Sequence, residues 1–173
     1  MSQVLENPMR RITIAKVVLN IGVGKSGEAI ERAKRVLEQI TGQGSSQRRA
    51  KKSVRDFGIH RGEPIGLVVT VRGEKTKELI TKLLVSRDKK LAQSCFDDMG
   101  SVSFGIKEHI EIPGVKYDPE IGIFGMNASV LLTRPGYRVT TRVRRPAKVG
   151  KKQRVKKVES IEFFKKEFGV TVE

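Results

Sequence analysis

The sequence contains few of the residues on which catalytic sites usually depend. Its 173 residues include one cysteine, two histidines and no tryptophan, and aromatic residues make up 5%. Because Cys95 is the single cysteine, no internal disulfide can form, as expected for a cytosolic protein. Asp97 and Asp98 follow Cys95 closely, the opposite of the basic surroundings that activate a thiol nucleophile. These adjacent carboxylates are typical of a solvated turn rather than of an acid-base pair.

Metal and membrane sites also lack support in the sequence. His60 and His109 are far apart, and no group of residues has the spacing of zinc ligands. No apolar run approaches the roughly 20 residues that a membrane-spanning helix needs. The start of the chain lacks the basic and then apolar pattern of a signal peptide. We therefore predict a cytoplasmic protein that uses no metal or cofactor, has no membrane partner and is not an enzyme.

Basic residues, in contrast, are abundant. The chain has 35 Lys and Arg against 19 Asp and Glu, which gives a net charge of +16. Two runs without any acid, Arg48 to Arg55 and Arg138 to Lys157, are far apart in sequence. Such an excess of charge disfavours folding by self-repulsion unless an anionic partner neutralises it. The pattern predicts a nucleic-acid-binding protein, and the scarcity of aromatic residues favours recognition by backbone, shape and a few polar side chains over base stacking.

Alternation and helical spacing predict the order strand, helix, strand, helix, further strands and a final helix. The predicted strands cover residues 11–23, 65–72, 101–112 and 126–133, and the predicted helices cover residues 27–41, 74–85 and 160–168. Ser26 is predicted to cap the first helix and Gly42 to end it. Residues 43–55 are predicted to form a long exposed loop, and residues 137–143 to continue or pair with the preceding strand. This order favours a two-layer α+β domain whose helices cover one face of the sheet.

The glycine motif Gly22-Val23-Gly24-Lys25-Ser26-Gly27 admits two interpretations. It matches the dinucleotide-binding fingerprint, between a predicted strand and a predicted helix. That fold, however, needs a second strand promptly after the helix, ending in an acid that binds the ribose, and here a basic loop follows. A phosphate-binding loop of the Walker type would need glycine at position 19, which is leucine. A tight turn whose backbone can approach a phosphate closely is therefore favoured over a cofactor site.

An ordered set of motifs runs along nearly the whole chain. The motifs are KVVLNIGVG at residues 16–24, ITGQ at 40–43, AKKSV at 50–54, FGI at 57–59, PIG at 64–66, VTVRG at 69–73, FGIKE at 104–108 and RPGY at 134–137. Together they resemble the large-subunit ribosomal protein L-five family in its archaeal form. The resemblance implies a mostly antiparallel sheet and binding to 5S rRNA, which such a protein anchors in the central protuberance. It also implies contacts with large-subunit rRNA, with P-site tRNA and with a small-subunit head protein.

The resemblance also assigns roles to individual residues. A polar cluster facing 5S rRNA falls on Asn20, Gln43 and Thr70, with Phe57 packed beside it. The full set predicted to bind 5S rRNA is Asn20, Gly22, Gly24, Gln43, Phe57, Thr70 and Arg72. The tRNA-facing loop carries Arg48, Arg49, Lys51, Lys52 and Arg55. The predicted contacts with other rRNA are Arg138, Arg142, Arg144, Arg145, Lys148, Lys151, Lys152 and Arg154. Without the resemblance, Asn20 and Thr70 would be interpreted as a strand cap or a cross-strand pair.

The sequence thus predicts a single RNA-binding domain over residues 1–173, with a mobile basic loop at 44–55 and a basic C-terminal segment at 138–157. Two alternatives remain at this point. The first is a basic protein that binds any nucleic acid without preference. The second is a nucleotide-dependent enzyme that uses the Gly22 to Gly27 loop.

Overall fold

The structure, a computed structural model, describes residues 7–115 and 118–172. The strands are β1 (Thr13–Gly22), β2 (Ser46–Arg49), β3 (Pro64–Val71), β4 (Lys90–Leu91), β5 (Val102–Ile106), β6 (Met126–Thr133) and β7 (Thr171–Val172). Five of them form a central antiparallel sheet in the order β2-β3-β1-β6-β5, and β4 and β7 form a separate parallel pair. The helices are α1 (Glu28–Thr41), α2 (Lys75–Val85), α3 (Arg138–Thr141) and α4 (Lys157–Phe168).

Alternation along the strands gives the sheet one buried and one open face. In β1, Val17, Leu19 and Ile21 are fully buried, whereas the intervening Val18 and Asn20 are only partly covered. The strands β3, β5 and β6 alternate in the same way, because successive side chains of a strand point to opposite faces. The buried face packs against the helices, so the predicted two-layer α+β fold is confirmed.

The helices contribute apolar stripes to this core. In α1, Ile30, Ala33 and Leu37 are buried at the spacing of one helix face, and the helix packs on β3. The helix ends at Gly42, which adopts the left-handed conformation with φ of 64°, as the sequence predicted. α2 packs on β1, and Phe164 of α4 is completely buried.

The predicted cap of α1 is wrong. Gly27, and not Ser26, occupies the N-cap position, and its φ of 96° favours glycine over any other residue. The hydroxyl of Ser26 instead donates a hydrogen bond to the carboxylate of Glu63, 37 positions later in the chain. The glycine motif therefore begins the helix by its backbone conformation, and Ser26 binds the loop that precedes β3.

The start of α4 depends on an ion pair with the end of β6. The guanidinium of Arg134, which is buried, donates to Glu159 Oε1 at 2.8 Å. The backbone N–H of Lys156 donates to the other oxygen of Glu159 at 2.9 Å, which satisfies one of the free amides at the helix N-terminus. Burial alone would raise the pKa of Glu159, but these donors outweigh it and leave the pKa below its ordinary value.

The structure corrects three predicted segments. Residues 43–55 are not an unstructured loop, because Ser46–Arg49 form β2, an edge strand that pairs with β3. Residues 137–143 are not a strand, because Arg138–Thr141 form the short helix α3. The strand predicted at 101–112 ends at Ile106, and His109–Glu111 form a single 3₁₀ turn. The first segment becomes a strand through long-range pairing with β3, and the second forms a short local helix. Neither conformation produces a hydrophobic period in the sequence, so neither could be predicted from one.

Candidate nucleic-acid interface

Cross-strand pairing aligns polar and small residues in rows across the open face of the sheet. One row crosses the sheet from β2 to β5 and consists of the paired residues Ser46, Val68, Asn20, Asn127 and Gly105. Residues that lie directly opposite in an antiparallel sheet share one face, so all five occupy the open face. Ser46, Asn127 and Gly105 of this row are exposed, so the face is open to solvent there.

A second row carries hydroxyl groups beside the first. It runs from Thr70 through Val18 and Ser129 to Ser103. The hydroxyl of Ser103 donates to Ser129 Oγ at 3.0 Å. Asn20 and Thr70, which the sequence predicted as RNA ligands, thus lie in adjacent rows of the same surface. Amides and hydroxyls can both donate and accept hydrogen bonds, so such a surface can distinguish RNA groups that a lysine cannot.

Sequence reasoning missed Asn127, Ser129 and Ser103. All three lie on the open face, and Asn127 is exposed directly opposite Asn20. The sequence predicted residues 126–133 only as a strand. It did not reveal that β6 lies next to β1, because strand order is a property of the tertiary structure.

The sheet contains no acidic residue. None of the five strands has an Asp or Glu, whereas Lys16, Arg48 and Arg72 lie on or directly beside the open face. The acids of the long helices, which pack on the other face of the sheet, are Glu28, Glu31, Glu38, Glu78, Glu159, Glu162 and Glu167. A polyanion approaching the open face therefore meets no like charge from the strands.

The chain between β2 and β3 extends the sheet as a basic hairpin. Ala50 N–H donates to Glu63 O at 2.8 Å, and Gly62 N–H donates to Ala50 O at 2.9 Å. Val54 and Ile59 exchange two further backbone hydrogen bonds close to the tip. The predicted tRNA-facing cations, Arg48, Arg49, Lys51, Lys52 and Arg55, are all exposed on β2 or on this hairpin. The structure therefore gathers them on one projecting element.

Glu63 fixes the base of the hairpin. Its carboxylate accepts hydrogen bonds from His60 N–H, at 2.9 Å, and from the Ser26 hydroxyl. The hydrogen bonds from His60 and then from Ser26 lower the pKa of Glu63, so its charged form is favoured. The hairpin is thereby tied to the glycine turn that follows β1.

The structure separates Phe57 from the polar cluster in which the sequence placed it. Phe57 lies in the turn Arg55–Phe57 at the hairpin tip and is 74% exposed, so it does not pack beside Asn20. Gln43 is partly buried and precedes β2. Because β2 runs antiparallel to β3 and Ser46 pairs with Val68, Gln43 lies toward the end of β3 that contains Thr70. Of the predicted cluster, Asn20, Thr70 and Gln43 thus remain at the sheet, while Phe57 belongs to the hairpin.

The glycine turn does not have the arrangement of a dinucleotide site. The amides of Val23 and Gly24 both donate to Ile65 O, at 3.0 and 2.9 Å, so neither is directed at a ligand. Glu28 and Glu31 occupy the first turn of α1, where they would repel a phosphate. Both neighbours of β1 are antiparallel, whereas that fold requires parallel strands. Gly22 and Gly24 can serve RNA binding by close approach of the backbone, and this stays a prediction.

The basic C-terminal segment, residues 138–157, begins with α3 and is tied to the body at several points. Val155 is completely buried, and its N–H donates to the hydroxyl of Tyr137 at 3.1 Å. The predicted rRNA contacts Arg138, Arg142, Arg144, Arg145, Lys148, Lys151 and Lys152 are exposed. Arg154 is only partly exposed, because its Nε donates to Val149 O at 3.1 Å. Most of this segment therefore presents cations to solvent from an anchored backbone.

Two further classes of site find no support in the part of the chain that the structure describes. No three His, Cys, Asp or Glu residues within it are grouped so that they could hold a metal ion. None of its helices is long and apolar enough to span a membrane.

Comparison with known proteins agrees with this geometry. The family described as "Ribosomal protein L5" matches residues 7–60, and the family described as "ribosomal L5P family C-terminus" matches residues 64–163. A relative from Nitrosopumilus maritimus is 52% identical over 99% of both chains, and one from Pyrobaculum aerophilum is 53% identical over 96% of this chain and 93% of its own. A third, from Methanosphaera stadtmanae, is 46% identical over 96% of this chain and 99% of its own. All three are named large ribosomal subunit protein uL5. The chain therefore belongs to the L5 family of large-subunit ribosomal proteins, as its sequence motifs indicated.

Proposed function

We propose that this protein binds 5S rRNA through the open face of its sheet and anchors it in the central protuberance of the large subunit. The observation that carries the proposal is the acid-free sheet, whose uncovered face aligns Asn20, Asn127 and Thr70 in adjacent rows. Small residues such as Gly66 and Gly105 let an RNA backbone come close, while the amides and hydroxyls supply hydrogen bonds. Its role in the subunit is structural rather than catalytic.

The hairpin and the C-terminal segment serve other contacts in this proposal. The hairpin projects from the sheet with Lys51, Lys52 and Arg55 exposed, which suits the phosphates of P-site tRNA. The cations of residues 138–157 bind large-subunit rRNA through its backbone, without reading its sequence. A small-subunit head protein is the further partner that the family resemblance implies.

Binding to 5S rRNA and to an unrelated RNA of equal length, compared at about 150 mM salt, tests the function. Nonspecific phosphate contacts weaken steeply as salt rises, so a marked preference for 5S rRNA is expected only from a specific surface. Asn20→Ala and Thr70→Ala should each weaken 5S binding by about 1 kcal/mol or more, as for a lost hydrogen bond.

Thr81→Ala on α2 provides the matched control, because its hydroxyl only donates to Lys77 O within the helix. Equal affinity for both RNAs would favour the alternative of a nonspecific nucleic-acid-binding protein. A preference for 5S rRNA that survives in both Asn20→Ala and Thr70→Ala would assign the specificity to another surface.

A further inference from the structure

The N-terminal turn and the basic C-terminal segment meet at one end of the sheet. Pro8–Arg10 form a single 3₁₀ turn that leads into β1. The side-chain amide of Gln153 donates to Met9 O at 2.8 Å and lies 3.4 Å from Pro135 O. One glutamine thus joins three segments that are far apart in sequence.

Packing supports the same contact. A Cβ added to Gly136 would lie 3.4 Å from the terminal methyl group of Met9, so the two segments come close together. The pairing of Thr13 with Thr133 brings the start of β1 beside the end of β6, from which the C-terminal segment continues. The N-terminal turn therefore lies close to Pro135 and Gly136, which lead into this segment.

Both segments carry positive charge and no acid. Arg10 and Arg11 are exposed, as are Arg138, Arg142 and Lys152 of the C-terminal segment. Residues 7–16 and 135–157 contain no Asp or Glu. Arg142 Nε donates to Arg145 O at 2.9 Å, and this turn holds Val143 and Arg144 outward, with Val143 96% exposed. The result is one basic surface assembled from the N-terminal turn and the basic C-terminal segment.

This surface lies at the opposite end of β1 from the hairpin. β1 spans ten residues, from Thr13 beside the basic surface to Gly22 beside Gly66 and β2. At about 3.3 Å per residue, the two ends of the strand are roughly 30 Å apart. The basic surface and the hairpin are therefore too far apart to contact the same stretch of a bound polyanion.

We propose that Arg10 and Arg11 complete a composite RNA-binding surface with residues 138–152, and that Gln153 holds its two halves together. The ligand is the phosphate backbone of an RNA helix other than the one on the open sheet face. This inference rests on the proposed function, because it takes 5S rRNA as the ligand of the open face. It extends that function by assigning a second RNA helix to a surface to which the N-terminal turn contributes.

The test uses the full-length protein already bound to 5S rRNA and, as probe, an RNA duplex of about 20 base pairs with arbitrary sequence. Duplex affinity is measured over a range of salt concentrations. The wild-type complex should bind the duplex, and the Arg10→Gln/Arg11→Gln variant should bind it less tightly, with the salt slope smaller by about 1 to 2. Gln153→Ala removes no charge, yet it should also reduce the slope, because the N-terminal arginines are no longer held beside the C-terminal segment.

Lys34→Gln/Arg35→Gln on the outer side of α1 removes the same charge from exposed positions and is the matched control. A slope reduced equally by this control, or unchanged in Arg10→Gln/Arg11→Gln, would overturn the inference. So would a wild-type complex that binds no duplex, or a loss of 5S affinity in the arginine variant. Failure of the proposed function is a separate result, since it appears as equal wild-type affinity for 5S rRNA and an unrelated RNA.

Discussion

At the scale of single residues, Gly66 determines how closely β1 and β3 can approach. An ideal Cβ on Gly66 would lie 2.9 Å from the carbonyl oxygen of Ile21, a backbone atom that cannot move without shifting β1. We expect Gly66→Ala to lower the free energy of unfolding by about 1 to 3 kcal/mol, as for other overpacked sites. Urea denaturation measures the change.

Gly44→Ala is the control for this prediction. Gly44 has no atom within 4 Å of its ideal Cβ and does not require a positive φ, so alanine there should cost little. Equal unfolding midpoints for the two variants would show that the strands have room for a side chain at Gly66.

His109 makes the stability of the fold depend on pH. Its ring is buried, and Nδ1 accepts a hydrogen bond from Phe124 N–H at 3.2 Å, so the neutral form fits the site. Burial lowers the pKa of His109 from its ordinary value of 6.5, although the nearby Glu108 charge opposes the shift. Below about pH 6.5 the unfolded chain therefore binds more protons than the folded one. The contribution of His109 to stability is complete above that pH and decreases as the pH falls toward the lower pKa of the folded state.

The comparison of wild type with His109→Gln isolates this effect from the carboxylates. The stability difference between the two proteins should become smaller on going from pH 7.5 to pH 5.5. Only the wild type has the buried His109 ring, whose protonation destabilises the folded state. Thr81→Ala, which removes no titratable group, should show a constant difference from wild type over the same range. A constant difference for His109→Gln as well would contradict the prediction.

At the scale of elements, charge reversal on the hairpin tests whether the hairpin and the open face bind different RNAs. Lys51→Glu/Lys52→Glu changes exposed residues beyond the last pair of β2 and β3, so 5S rRNA affinity should stay within about twofold. Ribosomes that carry the variant should be slower in tRNA-dependent steps, because the hairpin would then repel tRNA phosphates. Filter binding and a translation assay measure the two effects.

A second variant with the same change in charge, but on a different element, is the control. Lys34→Glu/Arg35→Glu on α1 should affect neither 5S binding nor the tRNA-dependent steps. A large loss of 5S affinity in the hairpin variant would mean that the hairpin and the open face have been assigned to the wrong RNAs.

At the scale of the whole molecule, the net charge of +16 disfavours the compact state through self-repulsion, and binding of a polyanion would relieve it. Many cations lie on the segments 44–53 and 147–157, where Ala50 and Val155 are the buried residues. Segments with few buried contacts open locally before the rest of the fold. We expect trypsin to cleave the free protein first within these two segments, and more slowly once RNA is bound.

Mass spectrometry of the first fragments checks this expectation. Cleavage after Lys34 or Arg35 of α1 serves as the internal reference, since that helix is packed against β3. First cuts within α1, with both basic segments intact, would show that the segments are ordered in the free protein.

The sequence alone determined the charge, the presence of the strands β1, β3 and β6, the apolar stripes of α1 and α2, and the motifs that identify the family. These features are local, because periodicity and composition are properties of neighbouring residues. Three features became visible in the folded chain alone: Ser46–Arg49 pair with β3 as β2, Asn127 lies opposite Asn20, and the Gly24 amide donates to Ile65 O. The tertiary structure also brought Met9 to Gln153 across the length of the chain. Each of these contacts joins residues distant in sequence, so it depends on the order of strands in the sheet, which no local pattern encodes.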